Sequence, residues 1–123
     1  MKVIDQALLE KVIIERSCTT HKGDYGRLLL LGGTYPYGGA IIMAALAAVK
    51  SSAGLVTVGT DRENIPALHN HLSEAMAFSL QDQQLLKEQL EKAEVVLLGP
   101  GLRDDVFGEN LVKQVFVNLS QNQ

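Results

Sequence analysis

The sequence predicts an α/β fold: a mostly parallel sheet covered by helices on both faces. Three observations carry this. Short apolar runs at 28–31, 55–58 and 94–98 read as strands, and they lack the polar alternation of a sheet with one wet face. Segments of helical periodicity separate them, which places neighbouring strands in parallel. Glycine-rich loops at 32–40 and 99–101 directly follow two of the strands, where open α/β sheets hold ligands. The chain has 123 residues, 46% hydrophobic and 20% charged, so it has material for one domain with a real core.

Taken in order, Asp5 is placed to cap a first helix through Ala7, Leu8, Leu9, Val12, Ile13 and Ile14, with Glu10 and Lys11 outward. Residues 1–20 therefore read as an N-terminal helix and lead-in to a single domain spanning 1–123. Lys22-Gly23-Asp24-Tyr25-Gly26 is a turn-rich entry to the first strand. Lys22 and Asp24 lie at the amino end of that strand and read as structural or interfacial. The loop 32–40 then opens a helix over 41–50, rich in Ala, Leu, Ile and Met, and Ala53-Gly54 stops it. Strand 55–58 completes a strand–loop–helix–strand unit of about thirty residues. Gly59-Thr60-Asp61 reads as a second loop at a strand's carboxyl end. Residues 64–72 form a short helix with Pro66 in its first turn. Residues 75–80 are a weaker strand. Asp82 starts a charged amphipathic helix through Leu85, Leu86, Leu90 and Ala93. Strand 94–98 follows, and a last helix over 106–119 carries Leu111, Val112, Val115, Phe116 and Leu119 on its apolar side. The chain stops after a helix, where this pattern would deliver another strand. It reads either as a small complete domain or as the amino-terminal part of a larger one.

Charge and composition remove several function classes. A net charge of −3 does not favour nucleic acid or an anionic membrane as partner. The longest apolar run, 40–49, is too short to span a bilayer, and the charged start lacks the form of a signal peptide. The single cysteine, Cys18, forms no internal disulfide, which suits a reducing cytoplasmic setting. His21, His69 and His71 have no metal-ligand spacing, so no metal-binding residue is expected.

The chemistry concentrates in the two glycine loops. Gly33-x-x-x-x-Gly38 has the glycine spacing of a phosphate-gripping P-loop, but Gly39 and Ala40 replace its lysine and hydroxyl residue. Nucleotide hydrolysis in that manner is not expected. The dinucleotide fingerprint is absent too, although Asp61 falls near the place of a ribose-binding acid. Gly38, Gly39 and Ala40 leave room for a ligand at the N–H groups of a helix N-terminus, where the dipole favours negative charge. A tight turn with close helix packing needs the same small residues, so the loop alone leaves both readings open. Gly99-Pro100-Gly101 ends a second parallel strand on the same edge. The two loops together are expected to frame a crevice for a planar or phosphorylated ligand. Tyr35 and Tyr37 either stack on that ligand or pack on the loop. Asp104 and Asp105 read as a helix cap or solvated turn before they read as Mg²⁺ ligands.

In order along the chain, Lys22-Gly23-Asp24-Tyr25-Gly26, Gly32-Gly33-Thr34, Tyr37-Gly38-Gly39-Ala40, Ser52-Ala53-Gly54-Leu55-Val56 and Gly99-Pro100-Gly101-Leu102 form a series. The series resembles the ADP- or ATP-dependent NAD(P)H-hydrate dehydratase family, the ribokinase-like carbohydrate kinase domain of the YjeF type. The resemblance implies a ribokinase-like fold, of which this chain is the amino-terminal part, and a cytoplasmic homotetramer. It implies repair of hydrated NADH or NADPH, with ADP or ATP as phosphate donor and Mg²⁺ as cofactor. The substrate-binding positions it implies are Tyr37, Gly38, Gly39, Ala40, Gly99, Gly101 and Leu102. The family's catalytic aspartate sits in a Gly-Thr-Gly-Asp-like motif that this chain lacks, so no catalytic residue is expected before Gln123. Two positions depart from the family pattern: Arg103 and Ser52 stand where glycine is usual. The rival readings are a small-molecule kinase of the same fold and a nucleotide-binding module without chemistry.

Overall fold

A computed structural model of the chain describes residues 3–13, 18–19 and 26–121. Residues 20–25, which hold His21, Lys22 and Asp24, lie outside the described residues, as does Ile14. Helix α1, Gln6–Val12, starts where Asp5 accepts the Leu8 N–H at 2.9 Å, and none of its residues is buried.

Four strands form one parallel sheet in the order β3-β2-β1-β4: β1 Arg27–Leu31, β2 Leu55–Thr60, β3 Met76–Ser79 and β4 Val95–Leu98. Helix α2, Gly38–Lys50, joins β1 to β2. A 3-10 turn at Arg62–Asn64 and helix α3, Ile65–His71, lead to β3. Helix α4, Gln83–Lys92, carries the chain back to β4 on the far side of β1, and α5, Val106–Gln121, follows.

Residues along β1 alternate between two cores, as the pleat requires. Leu30 meets Ile41 and Ala45 of α2, Leu68 of α3, and Val56 and Val58 of β2. Leu29 and Leu31 meet Leu86 and Leu90 of α4 and Leu111 and Val115 of α5. The sheet is thus covered on both faces at β1 and β2, which is why those strands are nearly all apolar, while Val95 and Leu97 of β4 stay exposed on the α2 side. The pairs Leu86/Leu90 and Leu111/Val115 lie one helical turn apart and so share a face. Each such leucine, fully buried, contributes roughly 1.5–3 kcal/mol. Asp82 caps α4 by accepting the Leu85 N–H at 3.1 Å.

Three local readings need correction: the end of β2, the core stripe of α5 and the start of α2. Strand β2 does not end at 58; Gly59 and Thr60 are buried strand residues. A Cβ at Gly59 would lie 2.7 Å from Leu31 Cδ2 and 2.8 Å from Phe78 Cζ, so the glycine makes room for two large neighbours inside the sheet. Phe116 and Leu119 are 64% and 40% exposed and do not join the α5 core stripe. Phe116 follows Val115 by a hundred degrees around the helix, which turns it off the sheet. Helix α2 ends at Lys50, as the sequence reads, but begins at Gly38 rather than 41; Ser51 is its C-cap and Ser52 takes φ +67°, the left-handed conformation glycine prefers.

Candidate functional site at the carboxyl edge of the sheet

The strand order puts β1 at the point where the chain reverses direction across the sheet. The helix after β1 lies on one face and the helix after β4 on the other. Such a switch point is where open α/β sheets bind ligands, beyond the carboxyl ends of the two strands. Both glycine loops are there.

The loops do not stand apart with a crevice between them; they are fastened to each other. Gly33 N–H donates to Pro100 O at 2.8 Å, and Thr34 N–H donates to Gly101 O at 3.0 Å. The Thr34 hydroxyl, fully buried, also donates to Gly101 O at 3.0 Å and accepts the Arg103 N–H at 2.7 Å. A Cβ on Gly101 would lie 2.4 Å from Tyr37 O, and Gly101 has φ +70°. Only glycine combines that backbone with that approach. A ligand on this edge therefore rests on a joined platform rather than in a slot.

The β1 loop is also tied to β2. Gly33 has φ +67°, and its missing side chain leaves space taken by Ile41 and Thr60. Its carbonyl accepts from the buried Thr60 hydroxyl at 3.0 Å and from Asn64 Nδ2. Tyr35 N–H donates to Asp61 Oδ2 at 2.7 Å. Thr34, Thr60, Asn64 and Asp61 were not legible as a set, because their partners are far away in sequence. The one local hint is that Asn64 lies only four residues after Thr60, and the turn at 61–64 brings their side chains to 3.1 Å.

The expected binding positions fall into two groups on this platform. Tyr37, Gly39 and Ala40 are exposed around the start of α2, and Gly99 is exposed on the β4 loop. Gly38, Gly101 and Leu102 are partly covered. A Cβ at Gly38 would meet the Asn64 side chain, and Leu102 packs on the core beneath α4 and α5. Gly39 differs: a Cβ there would meet nothing within 4 Å. Packing gives no reason for a glycine at 39, whereas open space for a ligand does. The first turn of α2 has no side-chain cap and no acidic residue, so its leading N–H groups and dipole face that space.

Asp105 caps α5, accepting the Gly108 N–H at 3.0 Å, and pairs with Arg103 Nε at 2.9 Å. His69 and His71 sit on the exposed side of α3, near the carbonyls of Ala75 and Ala67. Among the described residues no three His, Cys, Asp or Glu gather as a metal ligand set, and no helix is long and apolar enough to cross a membrane. A cavity of about 330 Å³ lined by Arg27, Ala53 and Glu94 opens at the amino ends of the strands, the opposite edge from the loops.

Comparison with known proteins agrees with this arrangement. The family model described as NAD(P)H-hydrate dehydratase matches residues 28–120, from β1 into α5. A Streptococcus pneumoniae protein described as ADP-dependent (S)-NAD(P)H-hydrate dehydratase is 85% identical over the whole of this chain, and a Streptococcus thermophilus protein of the same description is 52% identical over 98% of it. The chain spans only 42% and 43% of their lengths. A ribokinase-like superfamily protein from Enterococcus faecalis superposes with a TM-score of 0.88 at 40% identity, covering 94% of this chain and 40% of that one. A Bacillus subtilis ADP/ATP-dependent NAD(P)H-hydrate dehydratase, crystallised with ATP and Mg²⁺, superposes at 0.72 with 27% identity, over 92% of this chain and 41% of its own. The match runs through both glycine loops and the whole parallel sheet between them, and on it this chain belongs to the NAD(P)H-hydrate dehydratase family, with the α/β fold of ribokinase-like proteins.

Proposed function

We propose that the whole protein dehydrates hydrated NADH or NADPH with ADP or ATP as phosphate donor, and that this chain supplies the substrate side of the site. The observation that carries the reading is the platform itself. Two interlocked loops at the switch point of a family member present the uncapped start of α2, with Gly39 facing open space. On this reading Tyr37, Gly38, Gly39 and Ala40 border the hydrated nucleotide from one side and Gly99, Gly101 and Leu102 from the other. The relatives' description as ADP-dependent dehydratases supports the same substrate class.

The donor nucleotide and Mg²⁺ fit this edge poorly. The P-loop spacing lacks its lysine and hydroxyl. Asp61 is occupied by the Tyr35 N–H, and Asp105 by Arg103 and the start of α5. We assign the phosphate donor, the metal and the proton-handling group to parts of the protein outside residues 1–123. A homotetramer in the cytoplasm completes the proposal. The family resemblance supports association, and the free exposed Cys18 suits a reducing compartment.

The test is recovery of NADH absorbance from hydrated NADH, with ADP or ATP and Mg²⁺, by the full-length gene product. Recovery is expected only with nucleotide present. A purified, folded full-length protein that leaves both hydrated NADH and hydrated NADPH unchanged with either donor overturns the reading.

A further inference from the structure

We propose that Tyr35 is a stacking residue for the planar ring of the nucleotide substrate, and that Asp61 and Arg103 are positioning residues that hold its backbone in place. This rests on the dehydratase reading above. The peptide groups on both sides of Tyr35 are held by charged side chains. Its N–H donates to Asp61 Oδ2 at 2.7 Å, and its carbonyl accepts from Arg103 Nη1 at 3.5 Å. Both anchors are themselves fixed. Asp61 directly follows β2, and Arg103 is bound through its own N–H to the buried Thr34 hydroxyl and through Nε to Asp105, which caps α5. A chain of contacts thus runs from the end of β2, across the β1 loop, to the start of α5.

The Tyr35 side chain does nothing comparable. It is 66% exposed, and no hydrogen bond engages its hydroxyl among the described residues. A charged clamp of this kind adds little to stability on a solvated surface, because water screens it. What it does supply is a fixed place for the ring. A backbone held from two sides beneath an exposed aromatic ring, beside the open start of α2, is a preorganised face for a flat heterocycle. Aromatic–base stacking tolerates any planar ring and is strong enough to matter when the platform does not move.

The experiment uses the full-length gene product and steady-state dehydration of hydrated NADH, with amide hydrogen exchange over residues 33–40 as a second readout. Tyr35→Ala should raise KM about tenfold or more, while Tyr35→Phe, which keeps the ring, should match the parent. Asp61→Ala and Arg103→Ala should each speed exchange over 33–40 and raise KM several-fold with kcat within about twofold. Asp61→Asn, which keeps an acceptor for the Tyr35 N–H, should restore parental KM. An active parent whose KM ignores Tyr35→Ala overturns the stacking role. Faster exchange in Arg103→Ala and Asp61→Ala with unchanged KM overturns the positioning role. A parent with no dehydratase activity overturns the function reading and this inference with it.

Discussion

Gly39 is the residue at which packing and binding separate. Its neighbours Gly33 and Gly101 are glycines because the fold leaves no room for anything else. Gly39 sits in the first turn of α2 with open space above it, so a side chain there is tolerated by the fold. Gly39→Ala should keep or raise the melting temperature, since alanine favours a helix over glycine by about 0.5–1 kcal/mol. It should still weaken hydrated-cofactor binding, and the bulkier Gly39→Val and Ala40→Leu should abolish it in a folded protein. Calorimetric titration with hydrated NADH beside a thermal melt reads both effects. Undiminished affinity in a folded Gly39→Val protein would place the ligand elsewhere. Ser52 poses the opposite question. Its φ of +67° suits glycine, which the family resemblance also implies there. Ser52→Gly should therefore be more stable than Ser52→Ala by about 1 kcal/mol, both variants having lost the hydroxyl. Equal midpoints in urea would mean the turn relaxes out of the left-handed region at no cost.

Among the elements, β1 and its loop organise everything else. The strands and most helices were legible because their signals are local: runs of Leu and Val for strands, Asp5 and Asp82 for helix starts, Pro66 for a first turn. The placement of both glycine loops on one sheet edge was legible for the same reason. What holds the loops together was not. Thr34 reaches Gly101 across 67 residues and Arg103 across 69, and no periodicity announces such a pair. The end of β2 was missed because Gly59 looks like a turn until Leu31 and Phe78 are beside it. Phe116 reads as core by its hydrophobicity, but it lies about a hundred degrees from Val115 around α5 and stays 64% exposed. The unforeseen fastener makes a prediction of its own. Thr34→Val keeps the shape but removes a buried hydroxyl that both accepts from Arg103 and donates to Gly101. It should cost about 1–3 kcal/mol, the usual penalty for stranding buried polar partners. Denaturant unfolding measures it, and a change below about 0.5 kcal/mol would mean that the loops are held by their backbone bonds alone.

For the whole molecule, β4 is the telling strand. It is the edge of the four-stranded sheet that these 123 residues form, and Val95 and Leu97 are 60% and 41% exposed on the face away from α5. Met43 of α2 and Phe116 of α5 are exposed as well. An apolar surface of this kind calls for cover. The remaining sequence of the full-length protein can supply part of that cover, since this chain spans 42% of its Streptococcus pneumoniae relative. The full-length gene product should still self-associate at micromolar concentration, as the family resemblance implies, and a strictly monomeric mass by light scattering would count against the tetramer. Residues 1–123 by themselves should show no useful dehydration. The elimination requires a bound hydrated nicotinamide, an activating phosphate donor, and a group to take up a proton as the phosphate transfers. The platform of Gly33, Gly39, Ala40 and Gly101 can serve the first need. The second requires donors for a transferring phosphate, and the loop with the right glycine spacing lacks them. Phosphoryl transfer is catalysed almost wholly by positioning and charge, so their absence removes most of the effect. The third requires a base within hydrogen-bond reach of the ring hydroxyl. Asp61 and Asp104 follow strand ends, but Asp61 is committed to the Tyr35 N–H and the exposed Asp104 does not open a glycine-rich helix start; Asp105 is committed to Arg103. Losing a positioned base alone costs about two to four orders of magnitude in rate. The chain spans 42% of its Streptococcus pneumoniae relative, which leaves ample sequence for the missing groups. The assay compares this segment with the full-length protein on hydrated NADH, with ADP or ATP and Mg²⁺. Equal rates would place the phosphate site and the base within these residues and overturn the division of labour argued here.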